Sequence, residues 1–173
     1  MKQRLCLSLL LLASLLTPGC SAEEPQQAQS QSTASVQPAA GRAAPDFRLP
    51  RLEGGSLGLA DFRGKPTIIV FTTTWCPYCI EEIPELKSIY NTYRTQGVGF
   101  VAIYIQESPR KVKSFVRKHR LPYPVLLDQN AAVARAYGVR GVPTQVLITA
   151  AGQTYRNPSW NLTADLEELL ARP

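Results

Sequence analysis

The chain has 173 residues, room for one ordinary domain with extensions, and it shows no internal repeat and no nucleotide-binding motif of a self-contained reductase. Its 19 basic and 13 acidic residues give a net charge of +6. Six of the basic residues cluster between Arg110 and Arg120, but no nucleic-acid-binding motif accompanies them.

Lys2 and Arg4 precede an apolar run from Leu5 to Leu16. That run is shorter than the roughly 20 residues of a membrane-spanning helix and reads as an export signal. It ends in Leu16-Thr17-Pro18-Gly19-Cys20, which resembles a bacterial lipoprotein signal, although the leucine stands four residues before the cysteine rather than three. On that reading residues 1–20 form the signal peptide, Cys20 carries the lipid anchor and Cys6 leaves with the leader. Ordinary cleavage after Ala22 is the alternative, and either places the domain outside the cytoplasm. By resemblance to sorted lipoproteins, Ser21 in place of aspartate points to the outer membrane. Loss of Lys2 and Arg4 leaves 17 basic against 13 acidic residues, or +4. An exported chain of that charge is a poor nucleic-acid binder.

Residues 21–44 are rich in Gln, Ser, Ala and Pro and cannot bury a core. They read as a flexible tether with a mean span of about 25–30 Å. Residues 45–173 form the domain. Phe47–Pro50 and Ser56–Leu59 flank Gly54-Gly55 as a hairpin. A strand is expected over 67–73, then a helix from Pro77 to Tyr93 kinked by Pro84, which lacks a ladder donor. Val98–Ile105 alternates as a buried strand. A basic helix follows Pro109, with Val112, Phe115, Val116 and His119 recurring at helical spacing. One face of it packs. The other is either simply solvated or docks to an acidic partner or anionic membrane. His119 reads as a structural boundary residue. Tyr123–Leu127 forms a short strand, and Asn130–Tyr137 a helix capped by Asn130 and stopped by Gly138. Gln145–Thr149 and Thr154–Arg156 make a second hairpin around Gly152, and Thr163 caps a last helix through Leu170. Strands alternating with helices imply an α/β fold with a central mixed sheet.

The chemistry concentrates in Trp75-Cys76-Pro77-Tyr78-Cys79, between a strand and a helix. A cysteine at a helix start meets unpaired N–H groups and the positive end of the macrodipole, which favour a thiolate. The second cysteine lies one turn on and on the same face, so the two can close a disulfide with little backbone movement. Half of a structural zinc site also reads Cys-x-x-Cys, but it needs two more ligands. Cys6 and Cys20 lie in the leader and His119 in a basic helix, so the pair is read as redox-active, with no metal and no cofactor.

Several segments together resemble the thioredoxin superfamily, on its TlpA/ResA-like branch of exported thiol–disulfide oxidoreductases. They are Ala44–Phe47, Asp61–Pro66, Thr74–Cys79, Glu82–Leu86 and Tyr137–Thr144, which cover nearly the whole domain. The resemblance implies a thioredoxin-like fold with an N-terminal β-hairpin and a helix–strand insertion near 107–128. It implies a cis Val142–Pro143 bond across from the cysteines, with the Val142 backbone free to pair with an extended substrate segment. It implies that Glu82, one turn beyond Cys79, assists proton transfer at the second thiol, because Val70 stands where thioredoxin proper has its aspartate. Trp75 either shapes the contact surface or is structural. Pro77 suits the first helical turn, and Tyr78 tunes thiolate stability and thus the potential.

The expected function is a membrane-tethered extracytoplasmic oxidoreductase, with Cys76 attacking and Cys79 resolving. Protein thiols and disulfides are its substrates, for example in cytochrome c maturation. A membrane protein supplies electrons, and reductant is the favoured direction although the Pro-Tyr pair leaves it open. A peroxiredoxin-like thiol peroxidase, an antioxidant activity, is a second reading, from the Thr-x-x-Cys spacing of Thr73 and Cys76 and the similar first hairpin, but Ile69 stands where that class needs proline and a resolving cysteine three residues on is unusual for it. A copper-handling module is a third, and it needs a longer cysteine spacing and a suitably placed histidine.

Overall fold

A computed structural model describes residues 41–155 and 161–172. Four strands form the central sheet: β3 (Thr67–Thr72), β4 (Gly99–Ile105), β5 (Val125–Asp128) and β6 (Thr144–Ile148), in the order β5-β4-β3-β6. β1 (Arg48–Pro50) and β2 (Ser56–Gly58) make the separate N-terminal antiparallel hairpin. The helices are α1 (Pro77–Glu81), α2 (Ile83–Tyr93), α3 (Pro109–His119), α4 (Ala132–Ala136) and α5 (Leu162–Leu170).

β3 and β4 run parallel, as do β4 and β5, because a helix returns the chain between each pair; β6 is antiparallel to β3. Every residue of β3 is buried. Such a strand has helices or loops on both faces, hence its continuous apolar run. Its alternate side chains divide the core. Ile68 and Val70 join Leu86 and Ile89 of α2, Val112 of α3 and Leu166 of α5 on one face. Ile69 and Phe71 join Phe47, Ala134 and Tyr137 on the other. The hairpin contributes to that second face through Leu49 and Leu57, and Leu52 N–H donates to the Val125 carbonyl (2.9 Å), covering the edge of β5.

Several element boundaries differ from those expected. The helix over 77–93 is two helices, broken at Glu82, because Pro84 sits in the first turn of α2 and cannot donate back to the end of α1. β5 begins at Val125, two residues late: Pro124 has no N–H for the ladder, although its carbonyl accepts from Ala102 N–H (3.0 Å). α4 begins at Ala132 after Ala131 in the left-handed region (φ 56°). Asn130 Oδ1 still accepts from Ala132 N–H (3.0 Å), but Asp128 Oδ2 reaches a turn further to Ala134 N–H (2.8 Å). α5 is capped by Asn161 rather than Thr163, through Ala164 N–H to Oδ1 (3.0 Å).

The second hairpin is a single bridge, Ile148 to Thr154. Thr149 N–H donates to the Gln153 carbonyl (2.8 Å) and Tyr155 N–H to that of Leu147 (2.8 Å), and residues 152–154 pair in addition with the N-terminal segment. Gly41 N–H donates to the Thr154 carbonyl (2.7 Å), and Ala44 N–H to that of Gly152 (2.9 Å). Residues 41–44, inside the stretch read as tether, are thus hydrogen-bonded to the domain. The leader with Cys6 and Cys20, the tether up to residue 40, Arg156 and residue 173 lie outside the described residues.

Candidate active site

Register brings the site together. Thr72, the last residue of β3, pairs with Tyr104 of the parallel β4, so both strands release their chains at one edge. Thr144 at the start of β6 pairs with Phe71, so the loop entering β6 lies at that same edge. Three segments, 73–76, 106–108 and 141–143, therefore converge where the carboxyl ends of the parallel strands face out, the usual place for a site in such sheets.

Cys76 is the N-cap of α1 and Pro77 its first residue. Cys79 N–H donates to Cys76 Sγ (3.3 Å), and the Cys76 thiol donates to the Val142 carbonyl (3.4 Å). The Val142–Pro143 bond is cis, and Val142 stands outside the β3–β6 ladder, which starts at Thr144. Both cysteines are free thiols. They are 4% and 3% exposed, while Trp75 and Tyr78 are 65% and 71% exposed. The sulfurs thus lie beneath a rim of two aromatic side chains, and Trp75 belongs to the surface rather than to the packing beneath it.

Burial pushes the Cys79 thiol well above the ordinary thiol range. The hydrogen bond with Cys76 raises it further, against the partial opposing effect of Thr72 and the Thr73 backbone. One turn on, Glu82 is half-buried where its neighbour Glu81 is exposed. Desolvation lifts its carboxyl to about 7; a hydrogen bond from Gln145 opposes the rise and Glu85 adds to it. That bond runs from Gln145 Nε2 to Glu82 Oε2 (2.7 Å), and the other oxygen, Oε1, is buried with no hydrogen-bond partner. A carboxyl that titrates near neutrality, with one oxygen uncommitted, can take and return a proton.

Two residues of this arrangement were not singled out from the sequence. Gln145 is the second residue of β6, and nothing local announces that it meets Glu82, 63 residues away. Glu107 is the other. It is buried, its Oε2 accepts from Thr74 N–H (2.7 Å), its Oε1 accepts from the Thr74 hydroxyl (2.6 Å), and Lys111 Nζ lies 2.8 Å from Oε1. This clamp fixes the backbone two residues before Cys76. Its readable trace was the i,i+4 pair Glu107–Lys111 at the start of a helix. His119 takes no part in the site: its ring stacks on Phe115 with centroids 4.2 Å apart, and burial with Lys118 and Lys87 lowers its pKa.

Sheet order, the flanking helices and the thiols at a helix start define a thioredoxin-like fold. Residues 40–155 match the AhpC/TSA family. The chain is 35% identical over 133 residues to the thiol-disulfide oxidoreductase ResA of Bacillus thuringiensis subsp. konkukian, covering 76% of this chain and 77% of that protein. It is 34% identical to ResA of Halalkalibacterium halodurans over 75% of this chain and 73% of the relative. Among solved structures, a thioredoxin-family thiol:disulfide interchange protein from Chlorobium tepidum superposes with a TM-score of 0.66 at 28% identity, covering 76% and 95% of the two chains. A secreted Mycobacterium tuberculosis disulfide oxidoreductase homologous to E. coli DsbE gives 0.60 at 27%, over 72% and 94%. The chain belongs to the AhpC/TSA family and, within it, is a ResA-like thiol–disulfide oxidoreductase.

Proposed function

We propose that the protein is a lipid-anchored, extracytoplasmic reductant of protein disulfides, with Cys76 as nucleophile, Cys79 as resolving thiol and Glu82 as their acid–base partner. The observation that carries the reading is the half-buried Glu82 carboxyl, lifted by burial to about 7 and with Oε1 unpartnered, one helical turn along the chain from the buried Cys79 thiol. Cys76 gives up its thiol proton and its sulfur attacks one sulfur of a substrate disulfide; that bond breaks, and the departing substrate thiolate takes up one proton in exchange. Cys79 then passes its proton to Glu82 and attacks Cys76 Sγ. The second substrate thiolate leaves and is protonated, so two electrons have moved to the substrate and the enzyme holds a Cys76–Cys79 disulfide.

Val142 offers backbone outside the ladder for an extended substrate segment, with Pro143 fixing the turn, Pro77 starting the helix, and Trp75 and Tyr78 forming the contact rim. Two electrons from a membrane donor protein restore the dithiol. The names of the relatives, thiol-disulfide oxidoreductase ResA and a secreted disulfide oxidoreductase homologous to DsbE, support an exported oxidoreductase, and apocytochrome c is the substrate we assign by analogy. Residues 1–20 act as the signal, Cys20 as the lipid site and residues 21 to about 40 as the tether that holds the domain off the membrane.

The test is the reduction potential of the Cys76–Cys79 pair, by equilibration in thiol buffers. A value at or below about −250 mV supports the reductant; a value near −120 mV makes the protein an oxidant and overturns the direction. Cys20→Ser should move the protein from the membrane fraction to the soluble one. Retention in the membrane overturns the anchor.

A further inference from the structure

A groove of about 640 Å³ opens between the α1–α2 junction and the end of α3. Ile80, Ile83 and Pro84 give it an apolar floor, and Lys87, Lys118 and Arg120 stand around it. Ile80 is a partly exposed large apolar residue of α1, and its N–H donates to the Cys76 carbonyl (3.2 Å). The near end of the groove is therefore one helical turn, about 6 Å, from the nucleophilic cysteine. Lys87 Nζ donates to the His119 carbonyl (3.1 Å), which ties the two walls together.

The α1–α2 wall carries Glu81 and Glu85, both exposed, next to its lining residues, whereas the charge of the α3 wall is uncompensated. α3 carries no acidic residue. Among the described residues Lys111 is paired with Glu107, whereas Arg110, Lys113, Arg117, Lys118 and Arg120 have no carboxylate within ion-pair distance. We propose that this groove docks an extended, acidic segment of the protein whose disulfide the Cys76–Cys79 pair exchanges. The proposal rests on the oxidoreductase reading and adds a substrate preference to it.

Charge complementarity selects the occupant. Three cations around a narrow apolar floor fit carboxylates on a chain whose apolar side chains fill that floor. A planar anionic membrane would engage the outer face of α3 without entering the groove. An extended segment advances about 3.3 Å per residue, so the carboxylates belong a few residues from the attacked cysteine.

The experiment uses the pre-reduced full-length protein in single turnovers against two disulfide-bridged peptides. They are identical except that one carries Glu on one side of the bridge where the other carries Gln. A small uncharged disulfide is run in parallel. At low salt kcat/KM for the acidic peptide should exceed that for the amide peptide by roughly tenfold, carried by KM, and the ratio should fall toward one as salt rises. Lys118→Glu with Arg120→Glu should bring the ratio to one or below. Arg110→Glu with Lys113→Glu, an equal charge change at the far end of α3, should keep it.

Equal rates for the two peptides, while the small disulfide is reduced, overturn the groove and leave the oxidoreductase standing. Failure to reduce any of the three overturns both. A ratio lost equally in both double variants makes the effect one of net charge and also refutes the site. If Lys118→Glu with Arg120→Glu abolishes co-sedimentation with phosphatidylglycerol-containing vesicles but keeps the peptide ratio, the face belongs to the membrane and the proposal fails.

Discussion

Replacing Glu82 by Gln removes the titrating carboxyl while keeping its size and its contact with Gln145. An ordinary thiol is only about 3% ionised at pH 7, and burial takes Cys79 well below that. With Glu82 at about 7, roughly half of the molecules present a carboxylate at that pH. A positioned base contributes typically 10²–10⁴-fold. Glu82→Gln should therefore slow resolution of the mixed disulfide about 100-fold at pH 7, equivalent to about 2.7 kcal/mol of barrier. The assay is acid-quenched flow with mass detection: reduced protein meets excess oxidised glutathione, and formation and decay of the Cys76–glutathione adduct are followed separately across pH. In the wild type the decay rate should rise with a midpoint near 7. In Glu82→Gln that midpoint should vanish, with adduct formation little changed. Gln145→Leu should move the midpoint upward, because the lost hydrogen bond is the one that holds the carboxyl down.

Stability supplies a second readout of the same group. Folding raises the Glu82 pKa from 4.5 to about 7, so the native state binds this proton more tightly than the unfolded chain. Its favourable contribution is complete below about 4.5 and is lost as the pH rises through about 7. The ceiling on that change is about 3 kcal/mol, and partial solvation of a half-buried group reduces it to about 1–2 kcal/mol. Glu82→Gln should thus be more stable than wild type at pH 8 and no better at pH 4. A stability gain at pH 8 with an unchanged decay midpoint refutes the catalytic reasoning, because the carboxyl would then be buried yet unused.

Glu107→Ala leaves Thr74 N–H and hydroxyl without their acceptor in a buried place; it should cost about 2–4 kcal/mol in urea unfolding and slow adduct formation at Cys76. Cys79→Ser should accumulate mixed disulfides with partner proteins on non-reducing gels, whereas Cys76→Ser should form none and exchange no disulfide. Asn161→Ala should lose about 1 kcal/mol by removing the α5 cap, while Thr163→Ala stays within about 0.5 kcal/mol; denaturant midpoints separate the two.

What could be read in the sequence follows the range of the physics involved. The run Thr67–Phe71 announces a strand because burial on both sides leaves it apolar throughout, and Pro84 announces a break because a missing donor is a property of one residue. Helical spacing together with the family resemblance singled out Cys76, Cys79 and Glu82 as candidates. Gln145 and Glu107 were not, since their partners are 63 and 33 residues away and only sheet register brings them near. The α5 cap was misplaced by two residues because Asn161 and Thr163 are both competent caps, and backbone entry decides between them. The end of the tether was placed too late because Gly41–Ala44 carry no large apolar side chain and are held by backbone hydrogen bonds.

The two buried sulfurs beneath exposed Trp75 and Tyr78 make the site selective by reach. A disulfide locked inside a neighbouring folded protein cannot bring its sulfur past the rings to Cys76. One carried on a loose or protruding strand can. Accessibility of the partner's bond, more than its intrinsic strength, then decides which disulfides the pair exchanges, and an oxidoreductase built this way can work among structural disulfides without unravelling them.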